Sequence, residues 1–164
     1  MKLLCTQESR TKRLGRCLGA CLRPGDVVLL TGEMGAGKSV LTRAAARGMG
    51  VTGPVPSPTF TILNIHEGRT MKLYHFDLYR LEDEDALYEM GLDEMIPPQD
   101  GAAMIEWPQM AQGAMPADAL CVELRYAQDG LAREIELTPS GAFDGARIDE
   151  IMKMLEDDHE DPDD

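Results

Sequence analysis

The order of apolar and polar residues along the chain predicts short strands alternating with amphipathic helices. Residues 27–30 form a continuous apolar run that is typical of a buried strand, and residues 40–49 follow as a predicted helix. Residues 9–22 carry apolar side chains at intervals that share one helix face. Further strands are predicted at 59–66, 70–76, 102–105, 120–126 and 132–137, and further helices at 83–90 and 148–155.

A glycine-rich loop joins the first predicted strand to its helix. Residues 32–39 are GEMGAGKS, which matches the pattern G-x-x-x-x-G-K-[ST]. Glycine lets backbone N–H groups curl around an anion, and the helix that follows directs its N-terminal dipole toward phosphates. Lys38 supplies a cation for the outer phosphates, and the Ser39 hydroxyl is a ligand type that suits Mg²⁺. Strand, loop and helix together predict a nucleoside-triphosphate site.

Such a site needs a carboxylate at the end of a neighbouring strand, to hold Mg²⁺ or its water shell. Two residues qualify: Glu106 follows the apolar run 102–105, and Asp77 follows residues 73–76. The sequence leaves both open. Either acid could instead be a solvated or salt-bridged residue at the end of its strand.

Several residues close to these motifs have both a functional and a structural interpretation. Ser57 and Thr59 follow a proline-rich segment, and they either sense the γ-phosphate or cap the next strand. Arg80 either faces phosphate or pairs with the acids at 82–85. Trp107, the only tryptophan, packs beside the nucleotide or in the core, and His75 is interpreted as structural.

Composition narrows the choice of partner and compartment. The chain has 164 residues, 43% of them apolar, which suits one soluble domain. Acidic residues outnumber basic ones by 29 to 16, so strong direct binding of tRNA or DNA is disfavoured and a basic protein partner is favoured. We expect a domain over residues 1–156 and a disordered acidic tail at 157–164. No secretion signal, membrane-length apolar run or paired cysteine framework is evident, so we expect a cytoplasmic protein.

Four motifs occur in a specific order. The loop at 32–39 is followed by SPTF at 57–60, HFDLYR at 75–80 and IEW at 105–107. Over about residues 9–137 this combination resembles the bacterial TsaE family, the P-loop ATPases of tRNA threonylcarbamoyladenosine biosynthesis. The resemblance implies an α/β fold: a single P-loop NTPase-like domain with a mixed central β-sheet flanked by helices.

The resemblance also implies an activity and partners. Family members bind ATP and Mg²⁺, hydrolyse ATP slowly, and act with TsaD- and TsaB-type proteins. Those partners carry out the transferase step at adenosine 37 of ANN-decoding tRNAs. This implies that tRNA is contacted only indirectly, and that no membrane is involved.

Residues of this sequence that match the family's motifs are expected to have the roles that those motifs have in the family. ATP binding falls on Met34, Gly35, Ala36, Gly37, Lys38, Ser39 and Val40, with Thr11 in the N-terminal helix as a further contact. The resemblance implies that Ser39 and Glu106 ligate Mg²⁺, and that Lys38, Asp77 and Thr59 serve catalysis or nucleotide sensing. Ser39 replaces the commoner threonine but keeps the hydroxyl, and Glu33-Met34 replaces Asp-Leu.

Two other functions fit a phosphate-binding loop. A small-metabolite kinase is the main alternative, although such kinases bring an Arg-bearing lid and residues 97–119 contain no Arg or Lys. A nucleotide-gated binding module, whose chemistry is incidental, is the other. ATP turnover measured with and without partner proteins separates these classes.

Overall fold

The computed structural model of the chain describes residues 1–128 and 130–157. Its strands are β1 (Lys2–Cys5), β2 (Val27–Gly32), β3 (Leu63–Glu67), β4 (Lys72–Asp77), β5 (Gly101–Glu106), β6 (Ala119–Tyr126) and β7 (Arg133–Ser140). Its α-helices are α1 (Glu8–Cys21), α2 (Lys38–Gly48), α3 (Glu84–Glu89) and α4 (Gly145–Asp157), and 3-10 turns span Leu92–Met95 and Pro108–Ala114.

All seven strands form one sheet in the order β1-β7-β6-β2-β5-β4-β3. The central strand β2 runs parallel to both β5 and β6, and β4 runs parallel to β5. The outer strands β3, β7 and β1 pair antiparallel with their neighbours. The predicted α/β fold with a mixed central sheet is therefore confirmed. Because β2, β4 and β5 run in the same direction, their carboxyl ends meet at one edge of the sheet, where ligands bind in open α/β folds.

Side chains that alternate along each strand supply two cores, one on each face of the sheet. Val28 and Leu30 of β2 belong to the core that α1, α2 and α4 cover. Val27 and Leu29 belong to the opposite core, which includes Leu87 of α3. Burial on both faces explains why β2 appears in the sequence as an unbroken apolar run.

The predicted strand over 59–66 is wrong in its first half. Residues 58–62 form a turn in which the Ile62 amide donates to the Pro58 carbonyl oxygen at 2.8 Å, and β3 begins only at Leu63. Ile62 adopts a φ of 66°, and its carbonyl oxygen accepts a hydrogen bond from the Asp77 amide at 2.9 Å. This long-range contact with the end of β4 holds a turn that the apolar pattern alone does not indicate.

The other predicted elements are present, and one strand was missed. β1 was not predicted. It has only four residues and pairs with β7, which is far away in the sequence, so no local hairpin pattern indicates it. α4 extends through Asp157, one residue into the predicted acidic tail, and residues 158–164 lie outside the described residues. Within the described ranges, no helix combines the length and apolar character that a membrane crossing requires.

Candidate functional site

The loop at residues 32–39 lies at the carboxyl end of β2 and leads directly into α2. Gly32, Gly35 and Gly37 have φ values of 143°, 80° and 112°, a region that L side chains rarely adopt. A Cβ atom at Gly35 would also lie 2.9 Å from the Tyr126 hydroxyl. The backbone therefore curls tightly just before the first N–H groups of α2, which is the arrangement that binds phosphate.

Lys38 is buried at the base of this loop. Its Nζ donates to the Gly32 carbonyl oxygen at 2.6 Å and to the Glu33 carbonyl oxygen at 2.9 Å, and it lies 4.4 Å from the centre of the Trp107 ring. Burial lowers the pKa of Lys38, while the carboxylates of Glu106 and Asp77 act in the opposite direction. The ammonium group is thus held beside the loop by carbonyl oxygens, which a phosphate oxygen can replace.

Ser39 and Glu106 come together across the sheet. The Ser39 hydroxyl lies 3.2 Å from Oε1 and 3.4 Å from Oε2 of Glu106, and the carboxylate is only 3% exposed. Glu106 is the last residue of β5, and its neighbour β2 leads into the loop that carries Ser39. A hydroxyl and a carboxylate in contact are hard oxygen ligands of the kind that Mg²⁺ prefers.

Asp77 lies directly opposite Glu106 in the pairing of β4 with β5, but its own contacts are with a different segment. Its Oδ2 accepts a hydrogen bond from the Thr59 hydroxyl at 3.3 Å, and its Oδ1 accepts one from the Tyr79 amide at 3.0 Å. The Ser57 hydroxyl lies 3.0 Å from that of Thr59. Of the two acids that the sequence left open, Glu106 contacts Ser39 and Asp77 contacts the loop at 57–59.

These groups line a single cavity of about 440 Å³ beside the loop. Its lining includes Met34, Gly35, Gly37, Lys38, Ser39, Val40, Ser57, Thr59, Asp77, Tyr79, Arg80, Glu106 and Trp107. Trp107 packs against the Tyr79 ring, with ring centres 4.9 Å apart, and Arg80 lies 4.2 Å above the exposed ring of Phe60. Trp107 is therefore a wall of the cavity, and Arg80 stacks on an aromatic ring at the cavity mouth.

Thr11 occupies a second cleft, of about 220 Å³, on the other side of the same loop. This cleft also contains Ala36, Val40 and Arg133. Arg133 Nε donates to the Ala36 carbonyl oxygen at 3.2 Å, and its guanidinium lies 4.1 Å above the Tyr126 ring. Sequence analysis did not identify Arg133, because it begins β7 and reaches the loop only through the folded sheet.

The chemical groups at the loop are of the types that bind a nucleotide together with Mg²⁺: an ammonium group for phosphate, and hydroxyl and carboxylate oxygens for the cation. Within the described part of the chain, no cluster of three or more His, Cys, Asp or Glu side chains suitable for a metal is present. A Mg²⁺ site with only one or two protein oxygens completes its coordination with substrate phosphates and water. The Ser39–Glu106 pair beside the glycine-rich loop matches that type of site.

Comparison with known proteins adds an independent observation. Residues 5–135 match the family model described as threonylcarbamoyl adenosine biosynthesis protein TsaE. This chain belongs to the TsaE family. The resemblance that the four motifs indicated is therefore confirmed.

The relatives of this family member match it over most of their length. A Bacillus subtilis protein named tRNA threonylcarbamoyladenosine biosynthesis protein TsaE is 37% identical over 141 residues, covering 86% of this chain and 87% of its own. A Nostoc protein of the same name is 38% identical over 144 residues, covering 84% and 85%. Among solved structures, Bacillus subtilis YdiB aligns with a TM-score of 0.80 and 31% identity, covering 93% of this chain and 94% of its own.

These matches place the chain in a family involved in tRNA threonylcarbamoyladenosine biosynthesis. The matched residues 5–135 include the loop, both strand-end acids, Thr11 and Arg133. All the residues that line the two clefts thus lie within the part of this chain that the family model matches.

Proposed function

We propose that this chain binds ATP with Mg²⁺ at the loop of residues 32–39 and hydrolyses it slowly. The observation that carries this proposal is the convergence on one cavity of Lys38, Ser39, Glu106, Asp77 and Thr59. They come from the loop, two strand ends and the 57–59 segment. A cation, a hydroxyl and two carboxylates beside a glycine loop form the set that triphosphate hydrolysis requires.

The loop amides and the N-terminus of α2 bind the phosphates, and Lys38 exchanges its carbonyl contacts for phosphate oxygens. Ser39 and Glu106 would hold Mg²⁺, which would neutralise negative charge on the phosphates when it is bound. Thr11 and Arg133, in the adjoining cleft, contact the rest of the nucleotide. These roles divide the two clefts between the triphosphate and the nucleoside.

Slow turnover follows from the surroundings of Asp77. Asp77 is the acid available to orient the attacking water, because the carboxylate of Glu106 already contacts the Ser39 hydroxyl. Both of its oxygens already accept hydrogen bonds, from Thr59 and Tyr79. A movement of the 57–59 segment frees Oδ2 of Asp77, so this segment acts as the nucleotide-sensing element.

The nucleotide cycle acts on a partner transferase complex of TsaD- and TsaB-type proteins, which modifies adenosine 37 of ANN-decoding tRNAs. Membership of a tRNA threonylcarbamoyladenosine biosynthesis family supports this role. The net charge of −13 supports indirect contact with tRNA, because a protein that grips nucleic acid by itself needs a basic face.

The test is ATP binding and phosphate release by the purified chain, with and without Mg²⁺. Lys38→Ala removes the phosphate-binding charge and abolishes productive ATP binding, whereas Lys153→Ala, at an exposed position on α4, retains wild-type behaviour. Glu106→Ala lowers turnover most at limiting Mg²⁺, and Glu89→Ala on α3 is its control. Unchanged ATP affinity and turnover in Lys38→Ala would refute the loop assignment.

A second assay separates this function from that of a small-metabolite kinase. A kinase transfers the γ-phosphate to a small acceptor without help, whereas the proposed ATPase releases inorganic phosphate and responds to the partner proteins. We expect tRNA modification by the partner pair to continue over several turnovers only when this chain and ATP are present. Modification at the same multiple-turnover rate without the chain would contradict the proposed role.

A further inference from the structure

Glu106 has a second polar contact that the proposed function does not use. Nε2 of His75 lies 3.0 Å from Oε1 of Glu106. The two residues are 0% and 3% exposed, so water does not compete for this contact. A buried carboxylate that accepts a hydrogen bond from a buried ring is held in one orientation, because breaking the bond leaves a polar group unsatisfied.

The register of the sheet places His75 where it can hold Glu106. Asp77 of β4 pairs with Glu106 of β5, and His75 pairs with Met104. His75 and Asp77 are two residues apart, so their side chains point to the same face of β4. The imidazole therefore lies on the same face of β4 as Asp77, two residues further from the strand end that lines the cavity.

The contact also distinguishes the two oxygens of Glu106. The direction of this hydrogen bond depends on the ring tautomer, and we assign the proton to Nε2 of His75 because that tautomer can donate to a carboxylate oxygen. Its Nδ1 is buried and has no hydrogen-bond partner among residues 1–128 and 130–157. Oε1 receives both the ring N–H and the shorter Ser39 contact, whereas within the same residues Oε2 has only the longer contact to Ser39, at 3.4 Å. Oε2 is thus the oxygen with free capacity.

We infer that His75 is a positioning residue, which orients Glu106 so that Oε2 and the Ser39 hydroxyl together receive a divalent cation. The inference rests on the proposed Mg²⁺ site and extends it by one residue that touches neither cation nor nucleotide. Residues that hydrogen-bond a metal ligand fix its orientation, and their loss typically weakens metal binding by about 10–100-fold.

The experiment compares His75→Leu with His75→Gln. Leucine removes the donor while keeping an apolar body, and glutamine retains an N–H donor at a similar reach. Binding of ADP or ATP is titrated first in EDTA and then against increasing Mg²⁺, and Mn²⁺ binding to the ADP complex is followed by electron paramagnetic resonance. Thermal unfolding of every variant reports on the fold. His66→Leu, in the adjacent strand β3, serves as the matched histidine control.

We expect His75→Leu to raise the half-saturating Mg²⁺ and Mn²⁺ concentrations by about 10–100-fold. Nucleotide affinity in EDTA stays within about twofold of wild type, because the phosphate-binding loop is unchanged. His75→Gln recovers most of the cation affinity, and His66→Leu retains it. This pattern assigns the effect to the hydrogen bond and not to packing.

Other outcomes overturn the inference. Wild-type cation affinity in His75→Leu would show that Glu106 is positioned without the histidine. Equal losses in EDTA and in Mg²⁺, with no recovery in His75→Gln, would show that the residue acts only through packing. If nucleotide binding by the wild-type chain does not depend on Mg²⁺ at all, the proposed cation site fails together with the role of His75.

Discussion

Gly19 lies where α1 crosses α2, and a substitution there tests how closely the two helices pack. A Cβ atom built at Gly19 would lie 2.7 Å from the carbonyl carbon and 2.9 Å from the Cα of Ala45, and nearer still to the Ala45 carbonyl oxygen. All three are backbone atoms in the middle of α2. Because a helix backbone cannot rotate aside as a side chain can, Gly19→Ala must push the two helices apart.

The expected cost follows from two opposing terms. Overpacking a close-packed interior costs about 1–3 kcal/mol, and backbone contacts below 3.0 Å favour the upper end. Replacing glycine by alanine inside a helix contributes about 1 kcal/mol in the opposite direction. We therefore expect Gly19→Ala to lower the free energy of unfolding by about 2 kcal/mol, which lowers Tm by about 4–8 °C in a domain of this size. Urea and thermal unfolding, followed by circular dichroism, measure both quantities.

Gly145→Ala is the matched control. Gly145 begins α4, and a Cβ atom there would have nothing within 4 Å, so the same substitution should be neutral or raise stability by about 0.4–1 kcal/mol. If Gly19→Ala is as stable as wild type, or gains as much as Gly145→Ala, the close contact of α1 with α2 does not limit packing and the reasoning is wrong.

Further predictions concern the body of the domain and its site. Asp26→Ala should cost about 3–5 kcal/mol in urea unfolding, because it leaves the buried guanidinium of Arg147, 2.6 Å from Asp26 Oδ2, without its carboxylate partner; a loss below about 1 kcal/mol would contradict this. ATP should change the fluorescence of Trp107 as Lys38 leaves its ring, and Lys38→Ala should lack the response; an unchanged signal at saturating ATP would exclude the movement. Burial lowers the pKa of Lys38, and phosphate binds the charged ammonium, so ATP affinity should fall as pH rises toward that pKa. An ATP affinity that stays constant between about pH 7 and 10 would exclude this effect. Deleting residues 158–164 should leave ATPase activity within about twofold of wild type, and a larger loss would give those residues a role at the site.

Local patterns were enough to predict most elements of the fold. The apolar run at 27–30, the glycines of the loop and the helical spacing of α1 each reflect sterics between residues close in sequence. Where a tertiary contact competes with local preference, prediction failed. The 58–62 turn is held by Asp77, and β1 is held by β7, and neither partner is near in the chain.

The candidate site shows the same division. The motifs identified the residue types, because phosphate binding requires particular residues within one short loop. The combination of the four motifs identified the family. The motifs left Glu106 and Asp77 as alternatives, interpreted His75 as structural, and gave no signal for Arg133. Only the folded sheet shows which of these side chains touch, by bringing Glu106 to Ser39, Asp77 to Thr59 and His75 to Glu106.

The sequence by itself therefore determined the glycine-rich loop, the succession of strands and helices, and the chemical groups available to the candidate site. The tertiary structure decided which of these groups touch. The physical reason is that backbone periodicity and glycine conformations depend on neighbouring residues, whereas contacts between strand ends depend on strand order and register. Those are set by how the two apolar cores pack on the sheet as a whole.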